Sequence, residues 1–300
     1  MKRIFLIVLL VLPSLSFCQS NDWLTSLDAA KRLALVQDKM VLMIWEEAAF
    51  VPLPVTLKDD NGKQVFIDDL FENQILINLL RDYFILVKVN EQEYEELFQA
   101  IKNKRSTTYI NKFNDDSIKI LDVNGIIVNS NKEPYREFLN LTKFIIKYDI
   151  NTSFIKAELT SYRNQQNFET TLSLASKYIE LAIFTIESAR QDIITLSNIY
   201  LDEAQNHLLN DTIENKLAVI RKIELLKIKQ QLILNRPRKV LRQLKRIDDI
   251  KADTANEELV AFLYVTAYRI LKDEDNAAPW RSKVSLINLK KSNQIISNNN

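Results

Sequence analysis

The side chains that most often do chemistry are scarce here: one histidine, one cysteine and two glycines in 300 residues. His207 sits in the stretch Asp202-Glu203-Ala204-Gln205-Asn206-His207, which reads as a helix surface. One histidine, with Cys18 the only cysteine, cannot assemble a Cys/His zinc site within one chain. A Ser-His-Asp arrangement would have to recruit His207, and the glycine-flanked serine of a nucleophile elbow is missing. Phosphate cradles need several glycines close together, so that backbone N–H groups can approach the anion. Gly62 and Gly125 lie far apart. Each follows an asparagine, the pair suited to a two-residue type I′ hairpin turn with both φ positive. Carboxylates remain. Glu46-Glu47 and Asp59-Asp60 are the candidates for general acid/base work, the basis of a carboxylate-dependent hydrolase reading. Neighbours at a strand end point to opposite faces, so Glu46 and Glu47 are expected to lie solvated rather than to cooperate. The loop Leu57–Asp68 fails as a calcium site, with Leu57 first and Asp68 rather than glutamate last. No metal or cofactor is expected.

The N-terminus addresses the chain elsewhere. Lys2-Arg3 precede the apolar run Ile4–Leu12, which Pro13 ends. A basic start, a short apolar core and a region of small residues make residues 1–18 a secretory signal peptide. The core is too short for a permanent span, which takes about 20 residues. Cleavage before Gln19 puts Ser16 and Cys18 at the small-residue positions of the cleavage site. The rival reading, a lipoprotein anchored at Cys18, has the large Phe17 where a small residue belongs. The expectation is export to the periplasm or beyond, with no free thiol and hence no thiol–disulfide exchange.

Those residues must be held by elements that the apolar spacing predicts. Residues 23–37 have helical spacing, Met40–Trp45 is a continuous apolar run and so a buried strand, and two prolines keep residues 50–55 extended. A small hairpin, Pro54–Leu57 with Val65–Ile67, surrounds the first Asn-Gly. Asp69–Asp82 reads as a helix, Tyr83–Val89 as a strand, and Glu91–Lys102 as a helix. Ser117–Leu121 and Ile126–Val128 flank the second Asn-Gly as a hairpin, and Arg136–Tyr148 closes this half as a helix. From residue 152 the strand signal stops. Helices are expected at 152–165, 168–187, 190–208, 212–234, 237–248, 255–272 and 279–289, followed by a disordered polar tail, 292–300. No regular repeat of 34 residues emerges, so the second half is a helical bundle or a degenerate array like the tetratricopeptide repeat.

The order helix, strand, hairpin, helix, strand, helix, hairpin, helix is an α/β layer with a final antiparallel hairpin. Asp22-Trp23-Leu24 with Ala29-Ala30, the run Asp38-Lys39-Met40 to Trp45, the strand Tyr83–Asn90 and the hairpin Ile118–Val128 resemble the thioredoxin-like superfamily. The resemblance is in particular to envelope proteins of Gram-negative bacteria in which a helix precedes the first long strand. The resemblance covers about residues 22–150 and implies a thioredoxin-like domain over 19–150, with residues 151–291 as a separate α-helical domain. It also implies a Cys-x-x-Cys pair after the first long strand, where this chain has Glu46-Glu47-Ala48-Ala49. The family's cis-proline would precede the hairpin, where this chain has Asn114-Asp115-Asp116-Ser117. Both redox determinants are gone, so the resemblance implies the fold without its chemistry.

Charge supplies the last clue. The net charge is +1, yet Glu46–Glu96 carries 12 acidic and 4 basic residues while Lys216–Arg246 carries 11 basic residues and one acidic, Glu224. Such blocks steer oppositely charged surfaces. The block either forms a solvated helix face, docks on the acidic first half, or meets an acidic protein partner. Anionic lipid and nucleic acid are further alternatives, disfavoured by the lack of interleaved aromatics and by export. The sharpest candidates are Arg236, Arg238, Lys239, Arg242, Lys245 and Arg246, with Pro237 starting a helix that gathers them on adjoining parts of one face. The reading is therefore an exported, non-catalytic, protein-binding or chaperone-like module in the cell envelope. The alternatives are the hydrolase or a redox accessory protein that binds thiol oxidoreductases.

Overall fold

A computed structural model describes residues 23–59, 61–131, 137–210, 215–247 and 254–299. The expected signal peptide, Cys18, Asp60 and the start of a helix at Arg136 lie outside the described residues. The chain builds a mixed α/β region followed by a helical one.

Helix α1 (Leu27–Gln37) begins at Ser26, whose side chain accepts the Ala29 N–H, and ends at Asp38 in the left-handed conformation at φ 58°. The apolar run Met40–Trp45 forms strand β1, all six residues buried, as a central strand covered on both faces must be. It pairs in parallel with β4 (Phe84–Val89), Met40 opposite Phe84 through Trp45 opposite Val89. On its other side it pairs antiparallel with β5 (Lys119–Leu121), Met43 opposite Lys119. A second sheet, ordered β3-β2-β6, joins β2 (Val55–Lys58), β3 (Gln64–Ile67) and the two-residue β6 (Leu139–Asn140). Between the sheets' strands come α2 (Gln74–Tyr83), α3 (Tyr94–Ile101) and α4 (Thr107–Asn114), then α5 (Leu141–Tyr148). Helix α2 starts five residues later than expected because Asp69 turns the chain instead, accepting the N–H of Leu53 and of Phe71.

Two corrections concern the turns and hairpins. The second Asn-Gly is not a type I′ turn: Gly125 has φ 89°, whereas Asn124 has no positive φ. Asp122 Oδ1 accepts the N–H of Asn124 and of Ile126, closing a wider loop in which only the glycine turns left-handed. Ile126–Val128 makes a single bridge, Ile127 to Leu121, in place of a strand. Two backbone bonds still join the arms, Asp122 N–H to the Ile126 carbonyl at 2.9 Å and Val128 N–H to the Ile120 carbonyl at 2.7 Å. Side chains supply the rest: Asn129 Oδ1 accepts the Ile120 N–H, and the Tyr109 hydroxyl accepts that of Ile127.

The helical region holds α6 (Lys156–Asn164), α7 (Phe168–Phe184), α8 (Glu187–Asn210), α9 (Lys216–Ile233), α10 (Pro237–Leu244), α11 (Glu257–Ile270), α12 (Glu274–Arg281) and α13 (Leu286–Asn298). Helices α7 and α8 pack most extensively on each other. Helix α9 leans on both, α10 on α9 and α11, and α13 on α7 and α11. The two regions meet where α6 touches α1 and α8 touches α5. The expected helix over 279–289 is instead interrupted, with Ser285 capping α13 through the Asn288 N–H. The expected disordered tail is also corrected, because residues 292–298 are helical. Ser292 and Ile295 are buried, the Thr266 and Ser292 hydroxyls bond at 2.9 Å, and Asn298 Nδ2 donates to the Ile183 carbonyl at 2.6 Å. Polar composition hid a helix held by specific hydrogen bonds.

Candidate functional site

The position after β1 is a short 3-10 turn, Glu47–Phe50, rather than a strand end, so the opposite-faces expectation for Glu46 and Glu47 does not apply. Glu46 donates its N–H to the Val89 carbonyl at 2.9 Å, and its Oε2 accepts from Asn90 Nδ2 at 2.9 Å. The Glu47 N–H donates to Glu91 Oε1 at 2.8 Å while its side chain stays exposed. These contacts fasten the ends of β1 and β4 together. Ala48 is buried, Ala49 half-buried, and Phe50 beyond them is 81% exposed. Asp59 is likewise a turn residue, its Oδ1 accepting from Asn61 at 3.0 Å and Lys63 at 2.8 Å. His207 lies partly exposed on α8, 3.8 Å from Glu203.

The basic block resolves into different roles. Lys227 reaches Asp202 at 3.0 Å. Lys229 is buried over the Phe262 ring at 5.2 Å, its ammonium pulled down to about 8 by burial. Helix α10 is different. Pro237 occupies its first turn and is buried, and Val240 and Leu244 anchor the inner face. Arg236, Arg238, Arg242, Lys245 and Arg246 are exposed, with Lys239 half-buried. Arg238, Arg242, Lys245 and Arg246 surround Leu241 in one shallow depression, as the helical spacing predicts. None of these six cations forms an ion pair with a described carboxylate, so docking on the acidic segment within the chain is not what holds them.

Sequence reasoning missed the polar groups that join the two regions. Asp122 is fully buried at the turn after β5. Beyond the two backbone N–H groups, its Oδ2 accepts the hydroxyls of Tyr178 (3.0 Å) and Tyr200, from α7 and α8. The two tyrosine rings stack with centroids 5.5 Å apart, and Asn124 Nδ2 donates to the Tyr200 hydroxyl at 2.9 Å. Burial pushes the Asp122 carboxyl up, against the downward pull of its four donors. A second junction sits eight residues earlier on α8, two turns away on the same face. There Asp192, also buried, accepts from Tyr148 at 3.0 Å and pairs with Lys147 at 2.8 Å. One signal was available. Asp-x-Asn-Gly occurs twice, at 59–62 and 122–125, and only the second has the apolar neighbours Val123 and Ile126 that mark a turn facing inward. The chain matches no family model, no curated protein and no solved structure.

Proposed function

We propose that this chain is an exported, non-catalytic protein with a thioredoxin-like first half, whose helical half binds an acidic protein partner in the cell envelope. What supports the first part is strand order. The strand that precedes Glu46-Glu47-Ala48-Ala49 is central, parallel to β4 and antiparallel to β5. With Cys18 the only cysteine, nothing after it can exchange disulfides. The observation that carries the binding function is the exposed cation face of α10 around Leu241, unpaired to any described carboxylate. A solvated face with one apolar residue at its centre has the composition of a small electrostatically steered contact. The hydrolase alternative has less behind it, since Glu46, Glu47 and Asp59 each hold a turn or a strand end.

The test is capture from envelope extract by the chain and by the variant R238E/R242E/K245E/R246E. All four side chains are exposed, so the variant should fold with an unchanged urea midpoint. A partner held by the native chain should be lost by the variant, with affinity down about 100-fold or more, and should elute as salt rises. Equal retention by both forms would overturn the proposal.

A further inference from the structure

A cavity of about 370 Å³ opens where the two regions meet, within the size range of small-molecule sites. Part of its wall is apolar and buried: Met43 of β1, Phe113 of α4 and Leu121 of β5 all line it. Three cations line it as well, Lys31 from α1, Arg105 from the α3–α4 connection and Arg163 from α6. Among the described residues that line it, the carboxylate is Glu203 of α8, while Asp28 stands beside Lys31 and also attracts Arg163. Elements far apart in the chain thus bring three positive groups to one opening, against the two carboxylates Asp28 and Glu203.

The protein itself satisfies this cluster incompletely. Lys31 pairs with Asp28 at 2.6 Å, and Glu203 accepts the Tyr162 hydroxyl at 2.7 Å. Arg163 forms no ion pair with a described carboxylate. The Arg105 guanidinium lies 5.9 Å from the Tyr109 ring centroid, and its Nε is buried without an acceptor. Asp122 is close behind the hairpin, but four donors already occupy its oxygens. Gly125 contributes by what it lacks. A Cβ there would stand 3.2 Å from Lys31 Cδ, so glycine lets the lysine stem cross the hairpin tip beside the opening.

We propose that this cavity binds an amphipathic organic anion. Its carboxylate or phosphate group sits among Arg105, Arg163 and Lys31, and its apolar body lies against Met43, Phe113 and Leu121. Arginine suits the head group because its planar fork meets two anionic oxygens at once. The site is distinct from α10 and independent of the partner bound there.

Calorimetric titration of the chain with octanoate, octyl phosphate, octylammonium and inorganic phosphate tests this. The two octyl anions should bind one per chain, and octylammonium and inorganic phosphate at least about 10-fold more weakly, because each lacks one half of the required chemistry. Which anion binds more tightly distinguishes a carboxylate from a phosphate ligand. R105M and R163M should each weaken the better anion about 10-fold. E203Q keeps an acceptor for Tyr162 while removing the like charge, and should tighten binding about 3-fold, a gain that a damaged fold does not produce. No binding of either anion at millimolar concentration, equal binding of octylammonium, or affinities unmoved in both R163M and E203Q would each overturn the proposal.

Discussion

Asp122→Ala should destabilise the chain by about 4 kcal/mol in urea unfolding, because it strands several buried donors at once. Two backbone N–H groups and two tyrosine hydroxyls converge on this one carboxylate, and the residue is fully buried. Each stranded donor costs about 1–3 kcal/mol, and relaxation of the turn recovers part of the total. Asp122→Asn should cost less, about 1–2 kcal/mol, since its carbonyl oxygen can still accept the two turn N–H groups. The pH dependence has a definite sign. Burial raises the folded-state pKa of Asp122 above its ordinary value of 3.8, so the folded chain keeps this proton to higher pH than the unfolded chain. The stability it contributes is full below 3.8 and falls as pH rises through the folded-state value. The difference in unfolding free energy between the native chain and Asp122→Asn should therefore shrink from pH 3 upward. A difference that grows with pH would contradict the assignment.

This carboxylate also explains how the two regions act together. Asp192 and Tyr200 stand two turns apart on α8, and both bond to the strand-bearing half, Asp192 through Tyr148 and Lys147, Tyr200 through Asp122 and Asn124. One face of one helix thus holds both junctions. Hydrogen bonds of this kind, unlike apolar contact alone, fix the angle at which the regions meet, and with it the mouth of the cavity between Lys31, Arg105 and Arg163.

How much of this was legible in the sequence follows from how local each cause is. Met40–Trp45 and Phe84–Val89 announce buried strands by apolar runs, and Pro237 announces a helix start, because the signal lies within the element itself. The cation face of α10 is legible for the same reason, since helical spacing alone gathers Arg238, Arg242, Lys245 and Arg246. Helix α4 was readable but missed: Ser106 caps it and Tyr109 and Phe113, four apart, form its buried side. Asp122 was not readable as a junction. Its tyrosine partners lie 56 and 78 residues away, and nothing in a single chain's spacing pairs residues across such distances. The burial of Lys229 inside a block that otherwise reads as solvated has the same origin, a neighbour, Phe262, supplied by another helix.

Lys119→Met should remove part of the chain's gain in stability at alkaline pH. Lys119 is fully buried on β5, donating to the Ser117 carbonyl at 2.9 Å and to the Asp115 carbonyl, with its ammonium 5.8 Å from the Trp45 ring centroid. Burial pulls its pKa from 10.5 down to about 8, despite the opposing attraction of Asp115. A lowered folded-state pKa means that the folded chain gives up this proton first. The burial penalty is therefore in force below about 8 and fades as pH rises towards 10.5. Between pH 7 and pH 10, the native chain should gain about 2 kcal/mol of stability relative to Lys119→Met, read as the difference between paired urea titrations. The carbonyls of Asp115 and Ser117 lose a donor in the variant at every pH, so that cost cancels from the comparison. Parallel stability curves for the two proteins would mean that the ammonium finds as much solvation at the base of the β1 turn as in water. A native-minus-variant difference that rises with pH would identify Lys119 as a cation held inside the fold by backbone carbonyls, Asp115 and the Trp45 ring, at the end of the sheet where Glu46 and Glu47 begin.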